Sequence, residues 1–183
     1  MKLSGTYTYD GGTTIGAGTL QITADASLGN VPGATSAANI TISGGTLEAD
    51  ATGVALAANR GVTLTANGTL SATTGNDMTV AGVVTGGFNL AKAGAGTVTL
   101  SGANTYTGAT TINAGTLSFN SIAAVGGGAS ALGAPTTTGT GTIGLGAGTL
   151  AYTGSGHSSD RVINLTGAGT LNASGSGTLT LSG

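Results

Sequence analysis

Leu90-Ala-Lys-Ala-Gly-Ala-Gly-Thr-Val-Thr-Leu-Ser-Gly-Ala-Asn-Thr-Tyr-Thr-Gly-Ala-Thr-Thr-Ile-Asn-Ala-Gly-Thr-Leu117 is a run of short apolar–polar alternations punctuated by Gly and Asn. It ends in a Gly-Thr-Leu or Gly-Thr-Val tripeptide that recurs along the chain. The apolar third residue stands at Leu20, Leu47, Leu70, Val98, Leu117, Leu150, Leu171 and Leu179. The intervals are 27, 23, 28 and 19 residues, then 33, 21 and 8. Self-similarity on this scale marks stacked supersecondary units, none of which can bury its apolar face alone. The long interval holds Gly126-Gly127-Gly128 and predicts a loop or an extra partial coil. The last interval is too short for a coil and predicts two strands of one turn.

A larger repeat lies above the tripeptide. Leu3 to Leu20 aligns without gaps on Leu100 to Leu117, Leu28-Gly-Asn matches Leu132-Gly-Ala, and Arg60 to Leu70 matches Arg161 to Leu171. These correspondences divide a single β-solenoid domain, residues 1–183, into super-repeats at approximately 3–99 and 100–183. The second lacks about one coil, corresponding to residues near 75 to 95. A stacked architecture tolerates such a loss because each unit touches only its neighbours.

Inside each unit the alternation has period two, which places successive side chains on opposite faces of a strand. It puts Leu20, Ile22, Ile40, Ile42, Leu47, Ala49, Val62, Leu64, Phe88, Leu90, Val98 and Leu100 inward. In the second copy it selects Ile112, Leu117, Phe119, Ile143, Leu145, Leu150, Tyr152, Ile163, Leu165, Leu179 and Leu181. No stretch carries a helical period. A sandwich core asks for bulky aromatics, and this chain has two Phe, four Tyr and no Trp. A membrane barrel needs strands of about 9–11 residues with aromatic girdles. A solenoid suits short strands, a narrow lumen and many tight Gly or Asn turns. Eight or nine coils of roughly 20 residues are expected, with successive Gly-Thr-Leu segments directly over one another.

The quoted stretch resembles the autotransporter-associated β-strand repeat of bacterial surface proteins, and Gly-Thr-Leu echoes extend the resemblance loosely over the chain. The first copy departs from it between Thr6 and Asp10. The resemblance implies a right-handed parallel β-helix in the stalk of a secreted or cell-surface passenger. It implies export through the inner membrane, passage across the outer membrane with a C-terminal barrel, and a part in folding the emerging passenger. Met1-Lys2-Leu3-Ser4-Gly5 opens no signal peptide, so an exported protein would be represented here by an internal fragment.

Composition narrows the function classes. The 37 Gly occur without collagen's period, while 39% apolar residues and a net charge of −2 favour folding over disorder. Lys2, Arg60, Lys92 and Arg161 are the only Lys and Arg residues, too few for a phosphate-binding patch or an anionic membrane surface. No nucleic-acid partner, membrane insertion by this segment or cofactor is expected. With no Cys there is neither a disulfide framework nor a thiolate metal site.

Five features invite a site reading. Gly139-Thr-Gly-Thr-Ile-Gly144 fits a dinucleotide fingerprint but has no β-α-β unit around it. His157, between Ser155 and Ser158 and near Asp160, offers triad residue types within one polar loop. Glu48 and Asp50 face solvent two apart and are too few for calcium's 6–8 oxygens. Arg60 and Arg161, at equivalent positions, are expected to cover a coil edge with their alkyl stems. Thr19, Thr46, Thr69, Thr97, Thr116, Thr149 and Thr170 are expected to stack into one outward ladder. Ice-binding faces pair two Thr columns, and here the second column reads Gln21, Glu48, Ser71, Thr99, Ser118, Ala151 and Asn172.

No catalytic, cofactor-binding or metal residues are therefore assigned. The expected role is a non-enzymatic stalk that presents other domains, with an adhesive contribution and a host or surface ligand left open. The alternatives are a self-assembling filament module, an ice binder and a polysaccharide-active enzyme. Thr178 to Gly183 carries no charged or proline-rich cap, so open coil ends should stack head to tail. Neighbouring segments of the same surface protein are the other expected partners.

Overall fold

The computed structural model describes residues 1–183 as a parallel β-solenoid. Sheet one is continuous from end to end. Its strands are Lys2–Leu3, Thr19–Ile22, Thr46–Ala49, Gly68–Ala72, Leu90–Ala93, Thr110–Ile112, Ile143–Leu145 and Ile163–Leu165. Sheet two holds Val54–Leu56, Asp77–Val80, Thr97–Leu100, Thr116–Phe119, Thr149–Tyr152 and Thr170–Ala173. Sheet three stacks Thr13–Ile15, Ser36–Ile42, Arg60–Leu64 and Val84–Gly86, and His157–Ser159 with Leu179–Leu181 forms a separate pair after a loop region. The paired strands are all parallel. The eight strands of sheet one define a rod rising about 34 Å at the usual strand spacing.

Parallel pairing in register places like side chains over like. Leu20, Leu47 and Leu70 stack on sheet one, and Val98, Leu117, Leu150 and Leu171 stack on sheet two. Inside, 31 buried residues make one continuous apolar shaft. Helix is confined to one turn of 3-10 helix at Asp25–Leu28 and one α-turn at Thr138–Gly141. The long Leu117-to-Leu150 interval holds a loop, residues 120–142, and no extra coil. Leu171 and Leu179 lie on two strands of one turn.

The Gly-Thr-Leu stack is broken once, between Leu70 and Val98. Leu70 is covered by Lys92, and Val98 rests on Met78. The aligned copies consequently occupy different faces. Thr13–Ile15 lies on sheet three but its counterpart Thr110–Ile112 lies on sheet one; Leu20 lies on sheet one but Leu117 lies on sheet two. Between counterpart residues the chain completes four turns and one further face. Sequence identity reproduces the local strand and turn, whereas the compass direction depends on the number of residues between.

Five expected inward residues differ. Phe88 is 42% exposed because Gly86, with φ of 119°, ends its strand and a turn precedes Leu90, so the alternation restarts there. Leu165 is 61% exposed, and Ile163, Leu179 and Leu181 are only half buried. They belong to the last turn, which has no coil upon it. The restarted alternation sends Lys92 inward instead, where it is buried.

Corner glycines let the coils approach. At Gly94, with φ of 72°, a Cβ would stand 2.3 Å from the Ala72 carbonyl oxygen of the coil below. Gly115, with φ of 62°, repeats the arrangement on Gly94. Both the left-handed backbone and the contact exclude a side chain. Gly94→Ala should therefore lower unfolding free energy by more than about 1 kcal/mol, read by urea denaturation, whereas Gly16→Ala, with open space at its Cβ, should cost less.

Candidate functional site

The polar side chains are engaged structurally, and the two arginines show how. Both guanidinium groups are buried rather than laid over a coil edge, which corrects the expected placement. Each follows a loop that leaves the rod one turn earlier, and each satisfies that loop's carbonyls. Arg60 Nη1 donates to Leu28 O at 2.9 Å, and Arg161 Nη1 donates to Leu132 O at 2.6 Å. These carbonyls belong to the matched Leu28-Gly and Leu132-Gly segments. Unpaired carbonyls buried beneath a loop would be costly, and a long planar donor reaches several at once.

The two arginines differ in charge compensation. Arg60 Nε donates to Asp25 Oδ1 at 2.8 Å, and Arg60 also donates to Gly29 O and to the Asn39 side-chain oxygen. In the second loop the place of Asp25 is taken by Ala129. Arg161 donates to Gly141 O at 2.7 Å, but its buried Nη2 has no partner. Burial pushes its pKa down from the ordinary arginine value, opposed by Tyr106 and Asp160.

Lys92 is a third inward cation. Its Nζ donates to Ala93 O, Gly94 O and Ala114 O at 2.7, 2.8 and 3.1 Å. Burial lowers its pKa to about 8. The signal for it was available in the sequence, since Leu90 inward requires Lys92 inward two residues later.

The acids are dispersed. Asp10 accepts from Asn30, Glu48 bridges Gln21 and Ser71, and Asp50 accepts from Lys2 and Thr73. The Lys2 hydrogen bond, followed by that from Thr73, holds the Asp50 carboxyl below its usual range. Asp77 accepts the Gly53 amide and Asp160 the Val125 amide. No three His, Asp or Glu side chains converge as a metal cage would require.

His157 and Asp160 do not join a triad. Tyr152 Oη accepts the Gly156 amide at 2.7 Å and donates its proton to His157 Nδ1 at 2.7 Å. Ser159 donates to Ala123 O. These bonds pin a turn to the shaft wall. Gly139–Gly144 spans an α-turn followed by a strand, the reverse of the strand-then-helix order that cradles a pyrophosphate.

The seven threonines form two columns rather than one ladder. Thr19, Thr46 and Thr69 stack on sheet one, where the next residue is Ala91. Thr97, Thr116, Thr149 and Thr170 stack on sheet two. The cause is the same break between Leu70 and Val98. Sheet three carries a column missed in the sequence, Thr14-Thr41-Thr63-Thr85. An ice-binding face would need these columns side by side on one flat sheet; they are distributed over three.

A regular parallel solenoid with internally satisfied loops defines the class of this chain: a passenger-type repeat domain. The passenger-associated-transport-repeat model matches residues 1–22 and 90–119. A relative named "Adhesin BmaC autotransporter" from Brucella suis biovar 1 (strain 1330) is 39% identical over 105 residues, 57% of this chain and 3% of the relative. The chain belongs to the autotransporter passenger-repeat family. It spans only a small fraction of that relative's length. No solved structure matches it.

Two outcomes are expected. Asp25→Ala leaves Arg60 as an unpaired buried charge and should destabilise by about 3 kcal/mol or more in chemical denaturation, whereas Asp160→Ala should cost less than about 1 kcal/mol. The second concerns pH. Below about pH 8 Lys92 is charged in folded and unfolded chains alike, and its burial penalty is present in full. Above pH 8 the folded chain sheds this proton while the unfolded one holds it towards about 10.4, so stability rises with pH. Tyr106 acts oppositely: burial pushes it up to about 12, so stability falls once unfolded phenol ionises above about 10. Melting temperature should thus climb between pH 8 and 10 and then drop, and Lys92→Met should abolish the climb.

Proposed function

We propose that this segment is a stretch of rigid stalk in an autotransporter-type surface protein, spacing and presenting other parts of the passenger rather than catalysing a reaction. The observation that carries this reading is the uninterrupted sheet one, from Lys2–Leu3 to Ile163–Leu165, with every strand parallel to the last. A rod of this kind is quasi-one-dimensional: each coil is bound only to its neighbours, so length can change without altering the rest. The family match and the adhesin relative support a surface or secreted location. Attachment to the outer membrane by a barrel elsewhere in the polypeptide, and an adhesive contribution from the whole protein, belong to the same reading.

Local coils also suit export. Each new turn finds a preformed parallel edge on which to pair, so an emerging chain can fold turn by turn. With no Cys and few charges, it can cross a membrane unfolded without disulfide traps.

The test is removal of one whole turn. Gly68 pairs with Leu90, so deletion of residues 68–89 removes one period and should leave a folded rod shorter by about 5 Å, measured by small-angle scattering. In the full-length protein displayed on cells, this deletion should preserve surface exposure and adhesion. Selective loss of adhesion with exposure retained, or polysaccharide cleavage by the purified segment, would overturn the stalk reading.

A further inference from the structure

Both ends of the apolar shaft are open. At the carboxyl end Leu165 and Leu171 are 61% and 55% exposed, above a hollow lined by Phe119, Leu150, Ile163 and Leu179. At the amino end a second hollow is lined by Leu3, Tyr9, Ile15 and Leu20. The chain already contains the joint that would close these ends.

Leu171–Gly183 aligns without gaps on Leu90–Gly102, and eight of the thirteen residues are identical. Residues 3–20 align likewise on residues 100–117, with thirteen of eighteen identical. Within the chain, the segment after Gly102 folds directly onto 84–100. The Thr105 amide donates to Val84 O at 2.8 Å, Thr110–Ile112 pairs with Leu90–Lys92, and Thr116–Phe119 pairs with Thr97–Leu100. The carboxyl end thus carries the sequence of the receiving surface, and the amino end carries the sequence of the segment received.

We propose that the carboxyl end is a docking surface for the amino-terminal coil of a second copy of this chain, in the register of the internal joint. In this arrangement Thr8–Asp10 of the incoming copy lies over Leu165–Gly167. Its Thr13–Ile15 lies over Leu171–Ala173, and its Thr19–Ile22 over Thr178–Leu181. The incoming copy is turned by two faces, continuing the step of one face per unit seen between the two aligned segments. Leu181-Ser-Gly183 takes the slot that Leu3-Ser-Gly5 holds beside Thr19–Ile22, so Met1–Gly5 must leave. That strand is short: Lys2 and Leu3 pair with Gln21 and Ile22, and Lys2 bonds Asp50.

Displacement makes a sharp prediction. Sedimentation of the intact chain should show head-to-tail oligomers at high concentration, and removal of residues 1–5 should lower the concentration for half-association at least tenfold. Leu165→Lys with Leu171→Lys, at exposed positions, should give a folded monomer by circular dichroism. A chain whose amino end is blocked by a fused globular domain should also be monomeric. Mixed together, these two blocked forms should yield one-to-one dimers and nothing larger.

A mixture that stays monomeric, self-association by the amino-blocked chain, or weaker association after removal of residues 1–5 would each overturn the proposal. If the lysine variant fails to fold, a carboxyl-terminal fusion replaces it in the mixture. A tandem chain joining Gly183 to Thr6 of a second unit provides the last comparison. If the tandem is stabilised while separate copies remain monomeric, the end is built for a following coil of the same polypeptide and docking of a second copy is wrong.

Discussion

Parallel, in-register hydrogen bonding from each turn to the next is the constraint from which the rest of the molecule follows. A strand of three or four residues cannot satisfy its backbone groups alone, and here they are met by the turns above and below. Once strands stack in register, inward columns must be apolar and similar in size. Outward columns become rows of Thr, Ser, Gln or Glu that bond along the rod, as Gln21, Glu48 and Ser71 do. Glycine at the corners follows from the same spacing, because a Cβ at Gly94 or Gly115 would strike the carbonyl of the coil beneath.

Departures from regularity are where charge enters the interior. The loop after Ile22 and the loop after Phe119 leave carbonyls without a strand to meet them. Arg60 and Arg161 supply donors from the following turn. Lys92 does the same at a corner, gathering three carbonyls from two turns. Asn104 caps a third interruption, accepting the Val84 amide and donating to Ala131 O. In each case a polar side chain replaces a missing rung of the backbone ladder. Three of the four Lys and Arg residues are therefore structural, leaving little charge for recognition.

The rotation between aligned copies bears on how such rods work. Residues that match in sequence point in directions one face apart, so a feature repeated once per unit is not presented on a single side. The Thr columns illustrate this, with three members on sheet one and four on sheet two. A ligand surface would need columns on one face; a spacer needs only length and stiffness.

Length, repeats and period-two alternation were enough to establish short parallel-stacked strands, the Gly-rich corners and most of the shaft, from Ile22 to Tyr152. These are local or nearest-neighbour properties, written in side-chain polarity and in Gly and Asn at the turns. Lys92 was legible too, had the alternation been restarted at Leu90 rather than carried through the turn from Phe88. Tertiary structure alone decided the azimuth of each unit, because the accumulated lengths of all intervening turns set it. It alone buried Arg60 and Arg161, since their partners are loop carbonyls 32 and 29 residues earlier. No local pattern announces such a contact; the number of residues in one turn of the rod brings it about.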